Sequence, residues 1–350
     1  MDFALTETQT MLKSIVADFL AREMSPDRLR IAATETQFDK PLWRSMADQG
    51  WLGLGLEQSE GGLIEQSLVC DRVGYSAAPI PYVSTLATLS ALQAAGAGDD
   101  LLGPIIRGER IAPFVDGRSA INARRDDRTT RLSGTLSRVS FGNIGDAVAV
   151  LTTGPAGLPA ICVVSMDEVG VSRRPRKSIG YDAAVSIDFA GVAVEFSSPL
   201  DPVSLDRIDL HRALCAVSEA VGAAERSLEL AVDYAKTRSQ FGRPIGAFQR
   251  VQHDCAEMAL SLDGMRFAVQ EAVWSFDEDP RGAAEAAAIA LAFSQKALLQ
   301  ITAGSHEVFG GVGFFVEHEL HYYTRRIAMD MVWMGRAAVH LEALAVALGI

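Results

Sequence analysis

Residues 238–249 read RSQFGRPIGAFQ, and they gather groups suited to a charged, planar ligand. Arg238 and Arg243 offer guanidinium forks for phosphate. Phe241 and Phe248 offer faces for a planar ring, and Gly242 and Gly246 permit close backbone approach. Gln240 and Gln249 add amides, and Phe248-Gln249 opens a new helical pattern. A turn of this composition could hold a dinucleotide pyrophosphate together with its aromatic system. The same Arg238 also suits the C-terminal end of a preceding helix, where the dipole favours a cation. On these residues alone both readings stand.

A second group is HEVFGGVGFF, 306–315, where Gly310, Gly311 and Gly313 follow an apolar helical pattern. A helix C-cap explains such glycines equally well. No strand precedes them and no strand-helix-strand unit surrounds them, so this is not a dinucleotide fingerprint. A GxxxxGK[ST] loop and a GxSxG elbow are absent, which sets P-loop and serine-hydrolase chemistry aside. Cys70, Cys162, Cys215 and Cys255 lie far apart without a CxxC pair and read as small buried residues. His318 and His321 stand three apart and could share a helix face, but no carboxylate-rich bundle pattern accompanies them, and no metal is expected.

The elements that must position these groups fall into three stretches, 1–111, 112–203 and 204–350. In the first, Leu5, Gln9, Leu12, Ile15, Val16, Phe19 and Leu20 recur at helical spacing. Thr6 is an expected N-cap, with Gln9 completing a capping box. A short helix closed at Gly50 follows, then a loop at SEGG, 59–62, and a further helix punctuated by Pro79 and Pro81. In the second, RLSGTLSRVSFG, DAVAVLTT, LPAICVVS and AVSIDFAGVAVEF are β-branched, often alternating and separated by Gly, Pro and Asp. They predict short antiparallel strands in a small barrel or sandwich. The third returns to four long amphipathic patterns with short connections, a helical bundle. Helices, strands, then a bundle predict an α+β fold with segregated layers.

The chain has 350 residues, 49% hydrophobic and 22% charged, with a formal charge of -12. That balance argues against nucleic acid, which requires clustered Lys and Arg. No uninterrupted apolar run reaches about 18 residues, so no membrane span is expected. Asp2, Glu7 and Asp18 break any leader-like segment. Cytoplasm is the expected compartment.

RSQFGRPIGAFQ followed by FGGVGF, with MDFALTETQTML and MADQGWLGLGLEQSEGG before them, resembles the acyl-CoA dehydrogenase family over nearly the whole chain and in order. The resemblance implies an α-helical N-terminal domain, a β-barrel-like middle domain and a C-terminal four-helix bundle. It also implies FAD as cofactor, an acyl-CoA substrate desaturated at its α,β bond, and electron-transfer flavoprotein as acceptor. Carried onto this chain, Arg238, Gln240, Phe241, Ile245, Phe248 and Gln249 would meet the FAD of a neighbouring subunit. Gly310 and Gly311 would admit its adenosine diphosphate part. Glu307 stands where the family usually has Gln, and a carboxylate there would repel pyrophosphate.

The family's general base is usually Glu, at one of two places, and here these align with Met334 and His211. The family's flavin-contacting loop at the start of the middle domain is replaced by APFVDGRSAINARRDD. Such a mixture is similar to the smaller, base-lacking subunit of heteromeric acyl-CoA dehydrogenases, whose WEHDxHLYxRR stretch FVEHELHYYTRRI resembles. The implied role is to complete the FAD site of a homologous catalytic partner in a heterotetramer. The alternatives are a self-sufficient homo-oligomeric flavoenzyme using His211 as base, a flavin-dependent hydroxylase of the same fold, or a protein without FAD.

Overall fold

The computed structural model describes residues 4–56, 59, 61–126, 129–154 and 157–349. The expectations at Asp2, Glu60 and Asp127 lie outside them. In chain order the helices are α1 (Glu7–Glu23), α2 (Pro26–Ile31), α3 (Lys40–Asp48), α4 (Leu63–Ser76), α5 (Tyr82–Ala94) and α6 (Asp99–Ile106). Strands β1 (Phe114–Asp116), β2 (Ile121–Asp126), β3 (Thr129–Val139), β4 (Ala147–Thr153), β5 (Pro159–Ser165), β6 (Val171–Pro175), β7 (Val185–Ala193) and β8 (Phe196–Pro199) follow. Then come α7 (Pro202–Thr237), the two-residue strands β9 (Ser239–Gln240) and β10 (Arg243–Pro244), α8 (Gln249–Glu278), α9 (Ala283–Phe309), α10 (Leu320–Met334) and α11 (Ala337–Ala347). The chain divides into two compact units, residues 27–61 with 79–212, and residues 1–26 with 62–78 and 213–350.

The unit holding the strands is built on one sheet of order β6-β7-β3-β2-β4-β5-β8, with β1 also paired to β4. Leu132, Leu136, Val148, Val150, Cys162, Val164, Val185 and Ile187 form its core. The expectation of purely antiparallel strands needs correcting. β1 runs parallel to β4, and a single parallel bridge, Asn122 to Thr153, joins β2 to β4. These short pairings lack the long alternating pattern that reveals a strand in sequence. Gly50, at φ +78, follows the end of α3 as expected.

In the other unit Thr6 caps α1 as predicted. Its hydroxyl accepts from the Gln9 amide at 3.2 Å, and the Gln9 side chain accepts from the Thr6 amide at 3.0 Å. Helix α4 lies against α7 at backbone distance. A Cβ on Gly74 would sit 1.8 Å from the Glu219 carbonyl oxygen, and one on Gly222 1.7 Å from that of Asp71. Only glycine fits either position. Arg72 then bridges Asp71 to Glu225 of α7, and Arg266 of α8 reaches the same Glu225 at 2.7 Å. Asp277, from the far end of α8, accepts from the Leu63 and Ile64 amides at 2.8 and 3.3 Å, which caps α4.

Two expectations change here. The fourth long helical pattern is broken at Gly335, φ +87, into α10 and α11. The Gln295 side chain spans the break, donating to the Gly335 carbonyl and accepting from the Ala337 amide at 3.1 Å. Second, residues 283–314 are long and apolar enough to cross a membrane by length and composition. Half of the most apolar window is buried in the protein, which a core helix of a bundle also shows. Of the four cysteines, Cys70, Cys162 and Cys215 are buried and Cys255 is half-buried.

Candidate functional site

The stretch 238–249 is a miniature hairpin joining α7 to α8. Arg243 pairs with Gln240 and Pro244 with Ser239. Its two central residues, Phe241 and Gly242, both have positive φ, +53 and +80, the pattern of a type I′ turn. Glycine adopts this freely, but phenylalanine does so under strain. The strain is not repaid by burial, because Phe241 is 92% exposed. Its ring meets only the edge of Phe248, at 6.1 Å between centroids, and the Arg243 guanidinium stacks on the Phe248 face at 4.2 Å. The base of the hairpin is fixed. The Arg238 amide donates to the Tyr234 carbonyl and the Ile245 amide to the Arg238 carbonyl, both at 2.8 Å. Gln252, in the first turn of α8, donates to the Gly246 carbonyl at 2.9 Å. Gly246 itself passes so close to α7 that a Cβ would lie 3.0 Å from the Ala235 oxygen. Arg238, Gln240 and Gln249 are exposed, whereas Ile245 and Phe248 are half-buried. The tip is therefore presented outward from a rigid stem.

The glycine-rich segment lies in the same unit, where α9 ends. Gly310 has φ +59 and ψ -141, a region open only to glycine. No atom stands within 4 Å of where a Cβ on Gly310 or Gly311 would be, so both face open space. Among the described residues nothing requires the smallness of Gly311, which is what a surface approached by another molecule would show. Glu307 is not an isolated carboxylate. Arg250, at the start of α8, reaches it at 3.5 Å while bonding Asp254 at 3.0 Å. Tyr234 of α7 packs on Phe309 at 4.4 Å, which ties the stem of the hairpin to the end of α9.

Neither residue that the resemblance aligns with the family's base is a carboxylate. Met334 is 1% exposed, and its carbonyl oxygen lies 2.7 Å from His340 Nε2. His211, in the strand-bearing unit, is 6% exposed on α7. The residues that replace the family's loop form an ion network within that unit. Arg118 bonds Asp116 at 2.6 Å and Asp209 at 3.2 Å, and Arg212 reaches Asp209 at 3.4 Å. Burial pushes Asp116 up, but its bonds to Arg118 outweigh burial and hold it below the usual carboxylate range. The Asp116 bond in turn raises Arg118. A carboxylate held this way stays charged and is a poor proton acceptor near pH 7.

The sequence did not reveal Arg250, Tyr234 or the Arg118 network as parts of these sites. Each acts through a partner on another element. It likewise missed what the histidines near 310–319 do. His306 Nε2 lies 2.9 Å from Thr324 Oγ1, and His321 Nε2 lies 3.0 Å from the Val316 oxygen. His318 Nδ1 accepts from the Leu320 amide at 3.2 Å.

Comparison with known proteins adds the following. The pattern described as acyl-CoA dehydrogenase, N-terminal domain matches residues 6–100, and that described as acyl-CoA dehydrogenase, C-terminal domain matches residues 202–349. The chain is 30% identical to acyl-CoA dehydrogenase IpdE2 of Mycobacterium tuberculosis, over 91% of each chain. It is 26% identical to acyl-CoA dehydrogenase FadE27 of the same organism, over 98% of each. Among solved structures, a chain of the ChsE4-ChsE5 complex from that organism matches with a TM-score of 0.91 at 26% identity, covering 100% of this chain and 99% of that one. A chain of the Tcur3481-Tcur3483 steroid ACAD G363A variant matches with a TM-score of 0.87 at 26% identity, over 98% of each.

Proposed function

We propose that this chain, which belongs to the acyl-CoA dehydrogenase family, is the accessory subunit of an FAD-dependent acyl-CoA dehydrogenase and completes the flavin site of a homologous catalytic partner. One contrast carries the reading. The arginine turn and the Gly310-Gly311 segment are present and exposed, while the residues that the resemblance aligns with the base are a buried methionine and a buried histidine.

The residues present fit the cofactor's nucleotide end. Gly310 and Gly311 leave open space where any side chain would project. Arg238 and Arg243 bring positive charge, Arg250 stands beside Glu307, and Phe241 offers an aromatic face. Arg238, Gln240, Phe241, Gly310 and Gly311 would hold the FAD, with Ile245, Phe248 and Gln249 fixing the hairpin beneath them. When bound, FAD supplies a two-electron acceptor for hydride from the acyl chain. This chain's own part is to bind and orient. Met334 accepts no proton, and Asp209, next to the second base position, is engaged by Arg118 and Arg212. Loss of the base removes a contribution of about 10²–10⁴ in rate, which the partner's carboxylate would provide.

Two solved structures whose names join two chains, one of them called a steroid ACAD, favour a hetero-oligomer and a steroid-derived acyl-CoA as substrate. Electron-transfer flavoprotein is the proposed acceptor, and the cytoplasm the proposed compartment. The visible spectrum tests the reading. The chain purified alone should be colourless, and it should become yellow when co-expressed with a homologous subunit carrying the base. A yellow chain that bleaches anaerobically with an acyl-CoA, without a partner, overturns the accessory role. Oxygen consumption with NADH and a reductase would point to a hydroxylase instead.

A further inference from the structure

Three histidines surround the glycine segment, each from a different place. His306 lies in the last turn of α9, His318 just before α10 and His321 in its first turn. His306 stacks on Phe314 at 4.7 Å, and its Nδ1 would lie 3.2 Å from a Cβ on Gly313. Thr324 Oγ1 donates to the Leu320 oxygen, so His306 Nε2 carries the proton it shares with Thr324. His318 packs on Phe309 at 4.3 Å while its Nδ1 accepts from the Leu320 amide. His321 donates from Nε2 to the Val316 carbonyl and packs on Tyr322. In the neutral state, then, His306 packs beside Gly313, His321 holds the Val316 carbonyl and His318 holds the Leu320 amide.

We propose that His306, His318 and His321 act together as positioning residues for the Gly310–Glu319 segment, and that their protonation loosens this loop and weakens its hold on a nucleotide pyrophosphate. The pyrophosphate half rests on the FAD reading above; the loosening does not.

A proton on His318 removes the acceptor of the Leu320 amide. Positive charge on His318 and His321 would also face the N-terminal end of α10, where the helix dipole disfavours cations. The surroundings add to this. Burial lowers all three histidines, and His318 further lowers His306 and His321. Arg325 lowers His321, while Glu319 raises His318. The nearby Gly313 backbone and the Val316 carbonyl raise His306 and His321, but burial outweighs them. Glu319 is shared with Arg226 of α7 at 3.6 Å, and Glu307 of α9 with Arg250 of α8, so neither carboxylate is committed to a histidine. The sign follows. Each folded-state value lies below the ordinary 6.5, so the unfolded loop binds protons first. The neutral clamp is complete above pH 6.5 and is lost as pH falls below it.

Hydrogen exchange of the full chain, read segment by segment without FAD, tests the clamp. After correction for intrinsic rates, protection of residues 310–320 should fall severalfold between pH 7.5 and 5.0. A core segment of α8 should change little. The triple variant His306→Gln, His318→Asn, His321→Gln keeps donors and acceptors in place and should lose the pH dependence. Equal protection of 310–320 at both pH values, or an unaltered acid loss in the triple variant, overturns the clamp. If the variant does not fold, side-chain NMR titration of the wild type decides. All three histidines titrating below 6.5 supports the clamp, and any of them at or above 6.5 overturns it. A separate arm adds FAD at pH 7.5 to the co-purified complex. Added protection of 310–320 supports the pyrophosphate contact, and none overturns that contact while leaving the clamp to the first arm.

Discussion

Phe241 occupies a backbone conformation that costs an L-residue about 1–2 kcal/mol, and its ring gains almost no burial in exchange. Among the described residues no burial repays the strain, which supports the proposed contact with another molecule. Phe241→Gly should relieve the strain, leaving the melting temperature unchanged or raised, while flavin retention by the complex falls. A variant that keeps its flavin and melts lower would show that the ring serves the fold after all. A second residue-scale prediction concerns Glu219 and Asp330, buried beside Arg326, which reaches Glu219 at 3.3 Å and the Ala78 carbonyl at 2.6 Å. Burial first, then the neighbouring carboxylate, pushes Asp330 well above its usual value; burial also raises Glu219 despite Arg326. Groups raised in the folded state favour folding below the ordinary carboxylate range, and that support is lost as pH rises through the raised values. Asp330→Asn should therefore be more stable than wild type at pH 8, by at least about 1 kcal/mol, and nearly equal to it near pH 4. Identical denaturation curves at both pH values would mean the pair carries no shared proton. Of these residues, sequence disclosed the phenylalanine by its motif. It could not disclose the carboxyl pair, because Glu219 and Asp330 become neighbours only when α7 meets α10.

At the scale of elements, what was legible was local. The Thr6–Gln9 capping box, the stop at Gly50 and the long amphipathic helices all depend on residues within a few positions of each other. The cap of α4 was not legible, since Asp277 stands 214 positions from Leu63. Nor were β1, β2 and β6, which are short or exposed and lack the alternation that β3 and β7 display. The α4–α7 crossing falls in between. Gly74 and Gly222 are visible, but a helical glycine alone does not name its neighbour. Gly222→Ala places a methyl against the Asp71 carbonyl, a backbone atom that no rotamer change can move. The expected loss is at least about 1–3 kcal/mol in chemical denaturation. A midpoint equal to wild type would show that the helices separate there without cost.

For the whole molecule, the family resemblance carried fold and cofactor further than patterning could, and the structure supplied what the resemblance left open. The residues it presents outward are the ones that the proposed accessory role would use. The α+β architecture was readable because helical and strand periodicities occupy separate stretches. The division into two units was less so, because each unit draws on distant segments. The stoichiometry follows from the accessory role. A complex of equal numbers of both subunits should carry one flavin per pair, and Arg238→Ala in this chain alone should lower that ratio. One flavin per chain in the isolated complex would return this subunit to the self-sufficient enzymes.

Helix α4 is held by Gly222, Glu225 and Asp277, all made long after it. At about 5–20 residues per second, a ribosome needs roughly 10–40 s to travel from α4 to Asp277. For that interval α4 has α1, made before it, to pack on, but not yet α8. The nascent chain thus carries an early apolar segment that is only partly seated, and factors that shield such segments during translation should set how much of this protein folds.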